Sequence, residues 1–248
     1  MKIGIISDIH GNMDALKKVL DALKDEGCNK IFCLGDLAMA GPEPNRTVDF
    51  VKELFDTSDF TLIQGNTDFM LSHYSEEIYN KLFSLNIVMA NAYRADKEEL
   101  SEDNIKFLSS LPETKEIEIS GVKILLVHGS PRKQDENIFP DLPLEQVEEM
   151  ISDTNADLIF CGHTHLPCGY QTKTGKTVVN VGSVGRPFSL YPEACCAILD
   201  IKDSSFEIKH KLIKYDFMSA SKKLESRKFK GSDKLAKMLI KATSRYPE

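Results

Sequence analysis

The stretch CGHTH, residues 161–165, holds two of the chain's six histidines one residue apart. In extended backbone, residues two apart point to the same side, so His163 and His165 can present two imidazoles to one place. Other nitrogen and oxygen donors are Asp8 and His10 in SDIHGN, Asp36 in GDL, Asn66 and Asp68 in GNTD, and His128 in HGS. Each set follows a short apolar run (KIGII, KIFC, FTLI, KILLV or DLIF) that reads as a strand. Taken singly, an Asp or Asn after a strand is a turn former or a helix N-cap, and a lone histidine is hydrogen-bonded structure. Asp8 and Asn12 fit that ordinary reading. Recurrence at five successive strand ends is what sets Asp8, His10, Asp36, Asn66, His128, His163 and His165 apart. The carboxyl ends of strands in an open α/β sheet line a common crevice, where such residues converge. His73 and His210 are at no strand end and keep the ordinary reading.

These donors are of intermediate hardness and include no thiolate, which suits Mn, Fe, Zn, Co or Ni better than Ca or Mg. Seven ligands are too many for one ion with an open position. They suit two divalent or trivalent cations roughly 3.5–4 Å apart, as in binuclear hydrolases. Two cations so close need an anionic bridge, and Asp36 is the natural one. A water between them would be a hydroxide at neutral pH, placed for in-line attack on phosphorus.

The elements that must position these residues can be read from periodicity. KIGIIS (2–7), KIFCLG (30–35) and FTLIQG (60–65) alternate with helical patterns at 12–27 and 44–55, the second with Pro44 near its start. That order argues a parallel α/β sheet. Helices are expected at roughly 68–83 and 98–111, a hairpin around Gly121, a helix at 143–151 and a strand at 156–162. Two more hairpins should follow, with turns near Lys173–Gly175 and Asp203–Ser204. The sum is one domain over residues 1–248, with two packed sheets, helices outside and a basic helical tail over about 217–248. In that tail Phe217, Ala220, Leu224, Leu235, Leu239 and Ala242 form the apolar stripe.

A 42% hydrophobic and 28% charged composition over 248 residues is that of a globular chain with a full core. No apolar stretch approaches the ~18 residues of a membrane span, and the first residues are no signal peptide. The six cysteines form no Cys-x-x-Cys pair and read as core thiols, which predicts a reducing, cytoplasmic setting. Residues 209–248 hold 12 Lys/Arg against 4 Asp/Glu, while the rest holds 19 against 34. The basic end reads as the solvated face of helices rather than a nucleic-acid site, since an acidic body opposes a polyanion. Homo-oligomerisation is left open.

In order, DIHGN, GDLAMAGPEPN, GNTD, VHGSP, CGHTH and NVGSVGRPF resemble the motif series of the calcineurin-like metallophosphoesterases. They are most similar to the small bacterial phosphodiesterase branch, which includes diadenosine tetraphosphate hydrolases. The resemblance covers about residues 1–190, and the tail looks like that branch too. It implies a four-layer α-β-β-α sandwich of two mixed sheets flanked by helices. It implies one metal on Asp8, His10, Asp36 and His165, and another on Asp36, Asn66, His128 and His163. Asp36, Asn66 and His128 would carry catalysis, Arg186 would contact phosphate, and Thr67 and Asp68 would lie against substrate. The implied activity is hydrolysis of a phosphodiester or nucleotide, with manganese expected to serve in vitro. A dinucleoside polyphosphate hydrolase cleaving an anhydride is the alternative enzyme. A metal-binding scaffold is the non-enzyme alternative: the retromer subunit resembles this fold with a degraded metal site, whereas all seven ligand positions are present here. One departure stands out. The family's third motif usually reads Gly-Asn-His-Asp/Glu, its histidine protonating the leaving group, and here that position is Thr67. Asp68 is the candidate substitute acid.

Overall fold

The computed structural model describes residues 1–244; residues 245–248, the end of the expected tail, lie outside the described residues. The first half runs β1 (Lys2–Ile6), α1 (Met13–Asp25), β2 (Lys30–Cys33), α2 (Pro44–Phe55) and β3 (Phe60–Leu62). Four helices follow: α3 (Asn66–Ser72), α4 (Glu76–Leu85), α5 (Ile87–Glu99) and α6 (Glu102–Ser110). The second half runs β4 (Lys115–Ile119), β5 (Val122–Leu126), α7 (Leu144–Met150), β6 (Leu158–Cys161), β7 (Cys168–Gln171) and β8 (Thr177–Asn180). It closes with β9 (Ala194–Lys202), β10 (Ser205–Ile213), α8 (Phe217–Ser226) and α9 (Ser232–Lys241).

The strands form two mixed five-stranded sheets, ordered β10-β9-β1-β2-β3 and β4-β5-β6-β8-β7. As the alternation of βα units implied, β1 pairs parallel to β2 and β2 parallel to β3. The expected hairpins pair antiparallel as β4/β5, β7/β8 and β9/β10. Side-chain alternation then makes the layers. Ile3, Ile5, Phe32, Leu126, Phe160 and Leu199 share the core between the sheets. Ile6 and Cys33 face the other way, into the helices of the first sheet, with Leu16, Val48 and Tyr93. Leu125, Val127 and Ile159 face α7 through Val147. Helices, two sheets and a helix make the four-layer sandwich that the motifs implied.

The helical middle differs from expectation. A single helix over 68–83 is two helices, because His73 closes α3 and Ser75 caps α4 by accepting from the Ile78 N–H. Helix α5 was not expected. Its buried face is Val88, Ala90, Ala92, Tyr93 and Asp96, mostly small residues and one acid, so it carries little hydrophobic period. The tail is integral to the fold: Ala220, Leu224, Leu235 and Leu239 are buried in the same cluster as α1 and α5, Ala242 is buried too, and Phe217 is half-buried. Lys223 donates to Asp14 at 2.7 Å and Glu43 at 2.9 Å, so part of the basic tail answers acids of the body. All six cysteines are free thiols, four of them buried. Among the described residues no helix is long and apolar enough to cross a membrane.

Candidate metal centre

The loops that leave β1 and β2 run side by side, joined by backbone bonds from Asp8 N to Gly35 O (3.0 Å) and from His10 N to Asp36 O (2.9 Å). Ser7 O and Asp8 O accept from Val184 N and Gly185 N, which brings in the loop after β8. The loop after β6 joins through His163 N, which donates to Asp8 Oδ2 at 3.0 Å. Asp8, His10, Asp36, His163 and His165 all have positive φ, between 46° and 66°. Non-glycine residues held in that region cost roughly 1–3 kcal/mol each, and such strain gathers at functional sites. Turn chemistry alone gives no reason to hold five donors so.

The side chains converge. Asp8, His10 and His165 form one group and Asp8, Asp36 and His128 a second, with the ligand atoms of each within 4.8 Å of one another. Asp8 Oδ1 lies 3.1 Å from His165 Nε2, 3.7 Å from His10 Nε2 and 3.9 Å from His128 Nε2. Asp36 Oδ2 lies between His10 Nε2 (3.7 Å) and His128 Nε2 (3.4 Å). His163 Nδ1 meets Asn66 Oδ1 at 2.8 Å, and the His163 ring stands edge-on to His128 with centroids 5.3 Å apart. The seven donors therefore occupy one place.

Hydrogen bonding fixes three of the rings. A carbonyl oxygen only accepts, so His10 Nδ1 donates to Met39 O, His128 Nδ1 to Leu34 O and His165 Nδ1 to Arg186 O, at 2.9, 2.8 and 2.6 Å. When neutral, each ring has an Nε2 lone pair aimed at the carboxylates. His128 Nε2 and Asp8 Oδ1 are buried without a hydrogen-bond partner. Buried polar atoms left so are costly, and a cation between nitrogen and carboxylate donors satisfies them together. The residues fit a metal.

Electrostatics tie the same groups together, the carboxylates drawing a positive charge, as a proton or a cation, to His128 Nε2. Burial opposes charge on Asp36, but the His128 imidazole, then His10, outweighs it and brings the carboxyl down to about 2. Burial likewise opposes charge on His128, and Asp36 followed by Asp8 pushes its pKa up to about 10. His163 and His165 are both lowered, chiefly by burial.

Thr67, Asp68 and Arg186 are placed differently from a simple substrate wall. The Thr67 hydroxyl donates to Ala38 O at 3.0 Å, and its N–H donates to Asp36 Oδ1 at 2.8 Å. Asp68 is fully buried, and its oxygens accept from the N–H groups of Asp36, Leu37 and Gly65 at 2.8, 2.9 and 3.0 Å. Burial, followed by the Asp36 carboxylate, pushes Asp68 up to about 7, against those backbone donors. In this arrangement Asp68 grips the Asp36 loop. Gly65 completes the grip, since a Cβ there would overlap Asp36 Oδ1. The half-buried Arg186 lies over the Phe188 ring, 5.6 Å from its centroid, and Phe188 stacks on His165 at 4.4 Å. His73 and His210 are exposed and bonded to backbone carbonyls of Phe69 and Asn180.

Sequence reasoning missed the supports behind these ligands. Asn12, read as a cap, does accept from Ala15 N, and its amide also donates to Gly185 O and Tyr215 Oη. Asn180 donates to Gly162 O and to the Thr164 hydroxyl, holding the histidine loop. Its place before the glycine of NVGS was the only local signal.

A sequence profile described as the calcineurin-like phosphoesterase superfamily domain matches residues 1–204. An uncharacterised protein of Methanocaldococcus jannaschii is 34% identical over 239 residues, covering 90% of this chain and 91% of that protein. The crystal structure of a metallophosphoesterase from Sphaerobacter thermophilus superposes with a TM-score of 0.76 at 25% identity, covering 98% of this chain and 100% of that one. A hypothetical protein from Pyrococcus horikoshii shares the fold with a TM-score of 0.86 at 24% identity, covering 97% and 98% of the two chains.

Proposed function

This chain belongs to the calcineurin-like phosphoesterase superfamily and is a metal-dependent phosphoesterase; we propose that it hydrolyses a phosphodiester or nucleotide at a centre of two cations. The observation that carries this reading is the Nδ1 anchoring of His10, His128 and His165 to backbone carbonyls, which turns the Nε2 atoms of His10 and His128 toward Asp8 and Asp36 and that of His165 toward Asp8. Asp8, His10, Asp36 and His165 would hold one cation, and Asp36, Asn66, His128 and His163 the other. When bound, the pair supplies positive charge to the phosphoryl oxygens and lowers the pKa of water so that it attacks at neutral pH.

The chain's own residues do the rest. Thr67 N–H and the Asp68 grip set the Asp36 carboxylate between His10 and His128. Asn66, at the start of α3, and His128, at the end of β5, present their donors on the same side as His163. The Arg186 backbone carbonyl accepts from His165 Nδ1, its guanidinium lies over the Phe188 ring that stacks on His165, and we assign that side chain to the substrate phosphate. The Thr67 hydroxyl is engaged with Ala38 O and is in any case a poor acid, so substrates with good leaving groups are favoured. That property suits diesters, and it equally suits the second reading, an anhydride between nucleoside phosphates. A single domain over residues 1–248 fits the burial of α8 and α9 in the shared core.

The test is a panel of phosphomonoesters, phosphodiesters and dinucleoside polyphosphates assayed with manganese. Diester turnover exceeding monoester turnover supports the first reading, and polyphosphate turnover above both favours the second. Chelated protein with undiminished rate would remove the metal from the account.

A further inference from the structure

Behind His10 lies a hydrogen-bonded chain that no ligand assignment includes. The carbonyl that holds the His10 ring belongs to Met39, at φ 84°, and Ala40 follows at φ 61°. Each non-glycine residue in the left-handed region costs roughly 1–3 kcal/mol, and here the surrounding structure holds two in succession away from any hairpin. Met39 N–H donates to Asp96 Oδ2 at 2.7 Å, and Asp96 Oδ1 accepts from Arg227 Nη1 at 2.7 Å. The same Nη1 donates to Gly41 O at 2.8 Å, so both ends of the turn are gripped. Gly41 itself packs so closely on His10 O that a Cβ there would overlap it. Asp96 is fully buried on α5 and the Arg227 side chain is 8% exposed at the end of α8. Glu99 holds the other side of the guanidinium at 2.7 and 3.1 Å.

We propose that Asp96 and Arg227 are positioning residues for His10, holding the 39–41 turn so that His10 Nε2 stays aimed at the first cation. The inference rests on the reading above that His10 is a metal ligand. A buried ion pair is weak evidence of stabilisation, because well-packed apolar residues often replace one without loss. Here the pair does something apolar residues cannot: it satisfies a backbone N–H and a carbonyl of a strained turn. Partners that orient a metal-bound histidine typically change metal affinity 10–100-fold. Arg227 lies beyond residues 204, where the family profile ends, so a segment outside the matched domain would complete its site.

The experiment titrates Mn(II) into the chelated full-length chain by calorimetry. The double variant Asp96→Asn/Arg227→Met leaves no unpaired buried charge. Leu224→Ala is the control, since it opens a cavity in the same helix and removes none of the hydrogen bonds that hold the turn. In the double variant, one of the two binding events should weaken by about 10–100-fold while the other holds its wild-type affinity. Leu224→Ala should melt at lower temperature with both affinities unchanged. Wild-type affinity at both sites in the double variant overturns the proposal, as does equal weakening in Leu224→Ala. A wild-type chain that binds no Mn(II) overturns the metal reading itself, and this inference with it.

Discussion

The Nε2 atoms of His10 and His165 face each other at 3.1 Å in a buried setting, while both rings donate through Nδ1 to backbone carbonyls. If both rings are neutral, two lone pairs meet, with Asp8 Oδ1 at 3.1 Å from the second. Only a proton or a cation relieves that arrangement, and two further donors, Asp36 and His128, stand beside it. Chelation should therefore destabilise the fold. A cation present at 100 times its dissociation constant stabilises by about 2.7 kcal/mol, which for a chain of this size is roughly 5–10 °C in Tm. Differential scanning calorimetry with and without a chelator measures this, and excess manganese should restore the higher Tm.

Asp36→Asn should abolish activity and at least one bound metal. The carboxylate lies between His10 and His128, where on the binuclear reading it would offset the repulsion of two cations, and an amide carries no charge to do so. Metal analysis of the purified variant decides the point. Two metals per chain and a near-normal rate would rule out Asp36 as the bridge.

His128→Ala and His73→Ala should part company. His128 is buried at the end of β5 with its Nε2 toward Asp36, whereas His73 is exposed at the end of α3 and bonded to Phe69 O. The first substitution should lower kcat/KM by more than 100-fold, and the second should leave it within a few-fold. Steady-state kinetics on both variants test the placement of the site, which equal damage would contradict.

What could be read before any coordinates were at hand follows from locality. Strand ends such as Ile6 and Cys161 are marked by short apolar runs, so the donors just after them were visible, and so were the two sheets that gather them. Helix α5 was not visible, because its buried face is built on alanines and Asp96 rather than on leucines at helical spacing. Asp96 and Arg227 are 131 residues apart, and nothing in either neighbourhood announces the other. The backbone partners of Asp68 were hidden for a related reason. Its position beside Asn66 suggested a substrate contact, but three backbone N–H groups from two loops claim its oxygens. Asp68 is therefore drawn in as support for Asp36, and its burial leaves it no face toward a ligand.

Thr67 leads to a prediction about chemistry. Expelling an alkoxide needs a proton, and a positioned acid contributes about 10²–10⁴-fold. The Thr67 hydroxyl donates to Ala38 O, and Asp68 is enclosed by backbone donors, so neither is placed to protonate a leaving group. A plot of log kcat/KM against leaving-group pKa should fall steeply for the wild type. Thr67→His should help poor leaving groups more than good ones and flatten the slope. A wild-type slope near zero, unchanged by the substitution, would mean that another residue already supplies the proton.

The most direct test of the binuclear reading is a metal titration read by activity. The chain is stripped with a chelator, dialysed, and reconstituted with increasing Mn(II) while hydrolysis of bis(p-nitrophenyl) phosphate is followed and bound metal is counted by mass spectrometry. The arrangement of Asp8, His10, Asp36, Asn66, His128, His163 and His165 predicts negligible activity in the stripped chain. Activity should then climb to a plateau at two bound ions per chain. Full activity in the stripped chain, or a plateau at one ion, would contradict it.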